Sequence, residues 1–172
     1  MNNRHVVTIP GAMFAFFVGC CVSSALAQSS AGKASPLIVG QWKLNPGKSN
    51  LRLPPDYVEI RQYQLRPDGF LIGLLITMNA QGAHYLQFTA KSDGKDYPEY
   101  SDQITADMIA EGKKTPRTYS EKVIDDYVTE WTDKNAGKVT LQGKKTISKD
   151  GKTLIITIDG RPLSEARVYD RQ

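Results

Sequence analysis

Cysteine is scarce in this chain. There are two, Cys20 and Cys21, and both fall within the first 27 residues. With that segment removed no thiol remains, which excludes a disulfide framework, a cysteine nucleophile and a thiolate metal centre. Histidine is equally scarce, because His84 is the only one beyond His5. A zinc or iron site built on several imidazole or thiolate ligands is excluded with it, and no cofactor is expected. Positive charge is present but thin. The net charge is +4, and the densest basic pairs, Lys113-Lys114 and Lys144-Lys145, read as solvated strand ends and loops. Nucleic acid binding needs a denser basic face. No G-x-S-x-G stretch occurs to support a nucleophile–base–acid set, so the chain is not expected to be an enzyme. The apolar run at 12–18 is too short to span a bilayer.

That run belongs to a leader. Arg4 precedes it, and Ala25-Leu26-Ala27 supplies a small-x-small cleavage pattern before Gln28. Residues 1–27 therefore read as a secretory signal peptide, and the protein as exported to the periplasm or the medium. The alternative is lipoprotein anchoring through an acylated Cys20. Phe17 is a poor residue for that signal, and the later Ala-x-Ala site competes with it. Residues 28–36, QSSAGKASP, are small and polar and read as a flexible linker. Residues 37–172 remain as one domain with enough chain for a real core.

The domain reads as strands separated by turns. Strands are predicted near 38–44, 57–66, 70–78, 83–91, 118–124, 126–133, 138–148, 153–159 and 163–170. Turn signals such as PDG, SDGK, KNAGK and KDGK separate many of them. Alternation supports the reading. Val139, Leu141 and Ile147 share one parity, as do Leu154, Ile156 and Ile158, and as do His84, Leu86, Phe88 and Ala90. One apolar and one wetter face per strand is the pattern of an antiparallel sheet around a single core. About eight to ten strands with short connections predict an all-β, up-and-down barrel, because closure removes exposed edges; a two-sheet sandwich is the alternative. Residues 97–117 are the least regular. Ser101 or Asp102 could cap a short helix over Ile104, Met108 and Ile109, and a plain loop serves as well.

The stretch GQWKLNPGKS, residues 40–49, ends as a phosphate-binding loop ends. The earlier glycine of that motif would fall at Trp42, and the segment that follows contains Pro54 and Pro55 and no helical period. Residues 45–49 are therefore expected to be a turn in which Gly47 adopts an unusual backbone angle.

Gly40-Gln41-Trp42 on a first strand resembles the G-x-W signature of the lipocalins. Together with KSDGKDYP, SKDGKTLIIT and the terminal VYDRQ, it makes residues 38–172 similar to small secreted bacterial lipocalin-like proteins. The resemblance implies a barrel whose tryptophan plugs one end. It also implies an arginine from the last strand across the indole: Arg167 as first choice, Arg171 as second. Gly40 would permit close approach there. Two features depart from the family: no helix-forming segment follows VYDRQ, and no cysteine can tie down the tail. DDYVTEW matches the family's Asp-Tyr motif only loosely.

The candidate ligand-binding residues are His84, Phe88, Tyr127 and Trp131. His84 shares the apolar face of its strand and could orient a ligand, or could be a satisfied histidine at the rim. Aromatic walls with polar tips suit a ligand cavity; they suit a filled core equally well. Asp125, Asp126, Glu130 and Asp133 are close in sequence. Asp126, Val128, Glu130 and Thr132 share one strand face, read as solvated rather than as a glycosidase pair. The leading expectation is a non-enzymatic barrel that binds a small apolar ligand. The other reading is a protein-binding module, such as an inhibitor of an exported hydrolase, that uses the 97–117 loop.

Overall fold

The computed structural model describes residues 33–102, 104 and 111–172. The predicted leader and most of the predicted linker lie outside the described residues. Ten strands run in order: β1 (Gly40–Leu44), β2 (Val58–Leu65), β3 (Leu71–Asn79), β4 (Gly82–Ala90), β5 (Tyr97–Ser101), β6 (Arg117–Val123), β7 (Val128–Asn135), β8 (Lys138–Ile147), β9 (Thr153–Ile158) and β10 (Arg167–Arg171). Each pairs antiparallel with its neighbours in sequence, and β1 pairs with β10 to close the barrel. The up-and-down barrel, not the sandwich, is therefore the architecture. Closure leaves no row of unpaired backbone groups at an edge. Among the described residues no helix is long and apolar enough to cross a membrane.

The alternation decides which side chains face inward. Phe88 and Ala90 on β4, Leu154 and Ile156 on β9, and Ile147 on β8 are buried, as their parity predicts. Gly73 makes room for Phe88, since a Cβ there would lie 2.2 Å from the ring.

The 97–117 segment differs from the expected loop. Residues 97–101 are β5, which pairs with both β4 and β6. Pro98 disguises it, because proline cannot donate to a ladder and so argues against a strand. The Ser101 hydroxyl accepts from the Ile104 amide at 3.3 Å, the geometry of an N-cap. Met108 and Ile109, on the expected helix, lie outside the described residues. Residues 34–36, expected in the linker, instead belong to the domain. Ala34 is buried, Ser35 caps the 3-10 turn Pro36–Ile38, and the Ser35 hydroxyl donates to the Asp126 carbonyl.

One end of the barrel is plugged. Trp42 is fully buried and its indole N–H donates to the Ile38 carbonyl at 2.8 Å. The arginine over the indole is Arg171, 4.2 Å from the ring, and not Arg167. The register sets this, because Trp42 and Arg171 are direct cross-strand partners. The Arg171 guanidinium also donates to the carbonyls of Val39, Leu37 and Gly151. Gly40 has φ +128, and a Cβ there would meet Arg171 Nη1 at 2.8 Å, so this position needs glycine on both counts.

Arg171→Ala is expected to lower stability by about 2 kcal/mol, through the lost cation–π contact and charged hydrogen bonds. Urea unfolding followed by tryptophan fluorescence measures it. An unchanged midpoint would show that this clasp adds nothing.

The GKS turn is structural. Lys48 pairs with Asp170 at 2.7 Å, and the Ser49 hydroxyl accepts from the Val168 amide at 2.9 Å. Gly47 does not take the unusual angle expected of it, as it is not among the positive-φ glycines. The turn closes instead through the Asn45 carbonyl, which accepts from the amides of Lys48 and Ser49.

Candidate functional site

Above the plug the barrel contains a cavity of about 310 Å³. Its apolar wall includes Leu74, Leu75, Leu86, Leu141, Ile156 and Ile158. Trp42, Leu44, Leu71, Leu154 and Tyr169 form part of the core but not of the lining. The rest of the wall is polar to a degree that the sequence reading did not anticipate. Four buried carboxylates stand on four different strands, Glu59, Glu121, Glu99 and Asp133, and all but Glu121 line the cavity.

Glu59 on β2 is the first. It accepts from the hydroxyls of Tyr57 and Tyr169 and pairs with Arg61 and Arg167. Burial pushes its carboxyl up, but the two guanidiniums and the phenols outweigh burial and hold it below its usual value. Arg167 is therefore a cavity residue. Arg61 also donates to the Tyr169 hydroxyl at 2.9 Å.

Glu121 on β6 is the second carboxylate, buried but not part of the cavity lining. Lys145 reaches it at 2.6 Å, Tyr119 donates to it at 2.7 Å, and the Ser92 hydroxyl donates to its other oxygen. The Lys145 ammonium also stands over the rings of Tyr63, Phe88 and Tyr119, with Phe88 and Tyr119 stacked at 3.8 Å. Lys145 is 4 % exposed, so the Lys144-Lys145 pair is not the solvated cluster expected. The two lysines have opposite parity: Lys144 faces out towards Glu130, and Lys145 faces in.

Glu99 on β5 is the third. One of its oxygens, Oε2, takes both Arg117 Nε at 2.7 Å and Arg117 Nη2 at 2.6 Å. The other, Oε1, is buried with no hydrogen-bond partner among the described residues. Asp133 on β7 also faces inward, 8 % exposed, and its Oδ1 is likewise without a partner, as is Trp131 Nε1. Burial and the nearby Asp133 charge push Glu99 up to about 7, against the pull of Arg117. Burial pushes Asp133 up to about 6, against Arg117, Arg61 and Lys145.

Of the predicted ligand-binding residues, Phe88 and Trp131 line this cavity; His84 and Tyr127 do not. The His84 imidazole is 55 % exposed, and its Nδ1 lies 2.8 Å from Asp102. It has the inward parity of Phe88 but lies at the strand's far end, beyond the packed interior. Tyr127 precedes β7 and is exposed, and its carbonyl accepts from the Ile147 amide. Of the clustered acids, Glu130 is exposed as expected, whereas Asp133 is interior.

The residues that reading missed were detectable by one signal: a charge on the apolar parity of its strand. Lys145 shares the parity of Val139, Leu141 and Ile147. Glu59 and Arg61 share that of Tyr63. No His, Cys, Asp and Glu side chains gather in threes as a metal cage among the described residues. No protein-family model, curated protein or solved structure matches this chain, so its likeness to lipocalins rests on the closed up-and-down barrel and the tryptophan–arginine plug.

Proposed function

We propose that this protein is an exported, non-enzymatic barrel that binds one small amphipathic molecule. The observation that carries the reading is the cavity itself, whose volume is at the lower end of the ~300–1,000 Å³ typical of ligand pockets. Its walls refine the expectation of an apolar ligand. Branched aliphatic side chains and the aromatic rings of the lining would hold the ligand's body, while the inward charges favour a polar group on it. Buried polar groups cost free energy unless they are hydrogen-bonded, so a wholly apolar guest would leave Glu99, Asp133 and Trp131 without partners. Export rests on the leader.

The two tryptophans make the test internal. Trp131 lines the cavity and Trp42 does not. Titration with ten-carbon alcohols, acids and amines and with retinoids is expected to change tryptophan emission saturably. Trp131→Phe should abolish most of that change. Flat titrations across the whole panel would sink the reading.

A further inference from the structure

We infer that the cavity's ligand carries a protonated amine, seated against Glu99 Oε1 and Asp133 Oδ1. This deepens the binding function proposed above and rests on it. Both carboxylates are at least nine-tenths buried and line the cavity, and each has one oxygen without a partner among the described residues. An acceptor in that position takes either a donor or a proton. A primary ammonium has three donors, enough for both oxygens, and the two carboxyls are close enough to feel each other's charge.

The balance of the other charges singles out this place. Lining cations are mostly committed: Arg61 and Arg167 to Glu59, Arg117 to Glu99, and Lys145 to Glu121. Arg161 is exposed to solvent. Asp133 is the lining carboxylate with no ion pair among the described residues, and Glu99 spends one oxygen on Arg117 and keeps the other bare. A carboxylate-headed guest would bring a further acceptor to a wall whose unmet groups are already two acceptors to one donor. An amine reverses that balance. Trp131 Nε1, the remaining unmet donor, fits a hydroxyl or carbonyl elsewhere on the ligand.

The competing occupant is a proton shared between the two acids. Both carboxyls titrate above their usual range, Glu99 near 7 and Asp133 near 6. The charged and titratable groups facing them are Arg117 and Tyr119 on β6, Arg61 on β2 and Lys145 on β8. An amine with a pKa of about 10 stays charged from pH 5 to pH 8. The carboxyls are mostly protonated at pH 5 and mostly ionised at pH 8. Amine affinity should therefore rise with pH, and binding should release protons.

Decylamine, decanol and decanoate share one chain length and differ in the head. Each would be titrated below its micelle-forming concentration at pH 5, 6, 7 and 8. Decylamine is expected to bind at least tenfold more tightly than either of the others at pH 8, and to lose that advantage by pH 5. Asp133→Asn should weaken decylamine at least tenfold more than it weakens decanol, and Glu99→Gln provides a second variant should the first fold poorly. If decanol or decanoate binds as tightly as decylamine, or decylamine affinity is flat with pH, the amine head is wrong and the amphiphile reading stands. If none of the three binds, the amine inference fails, and if the retinoids are flat as well the binding function fails with it.

Discussion

Trp42→Ala is expected to cost about 3–5 kcal/mol of stability, the range for removing a buried large aromatic. Three losses combine at this one position. The indole is wholly inaccessible to solvent, so its removal leaves a large void at the plugged end. The Ile38 carbonyl loses the indole N–H as donor. The Arg171 guanidinium loses the ring it lies on, although its three carbonyl contacts hold it in place. Trp42→Phe, which keeps most of the volume, should cost clearly less. Urea unfolding monitored by circular dichroism gives both values. A loss below about 1 kcal/mol for the alanine variant would mean that the end relaxes over the gap, contrary to a plug that organises the barrel.

Glu121→Ala is expected to be of similar size, about 3–5 kcal/mol, for an electrostatic reason. Removing one partner of a buried pair leaves the other charge without compensation. Here that charge is Lys145, whose side chain is 5 % exposed. It would keep the Tyr119 hydroxyl, three ring faces and the longer-range attraction of Asp133. The double variant Glu121→Ala, Lys145→Met removes both charges and should recover much of the loss, since apolar replacement of a buried pair is often close to neutral. A double-mutant cycle in urea separates the pair's coupling from packing. If the double variant is as unstable as the sum of the singles, the pair is not the coupled unit that the distances describe.

The strands were largely legible because alternation is local. A strand's inner face repeats every second residue, and four residues of β9 suffice to show it. β5 escaped because Pro98 argues against a strand and because its pairing to β6, Tyr97 opposite Tyr119, reaches far along the chain. The plug was legible in kind through Gly40-Gln41-Trp42. Its arginine was not. Arg167 and Arg171 share the inward parity of β10 and lie about 13 Å apart along an extended strand, and nothing local distinguishes them.

The sequence by itself determined the all-β class, the strand faces and the residue types available to the interior. It also placed Lys145, Glu59 and Arg61 on inward parities, where each would need a partner. Which partner each found was decided only by tertiary structure. The β1–β10 register set Arg171 across Trp42 and left Arg167 to Glu59, and the pairing of β5 and β7 to the two sides of β6 brought Glu99 and Asp133 to one wall. The physical reason is that side-chain direction follows from a repeat of two residues, whereas register and closure depend on how the strands as a set pair and tilt around one core.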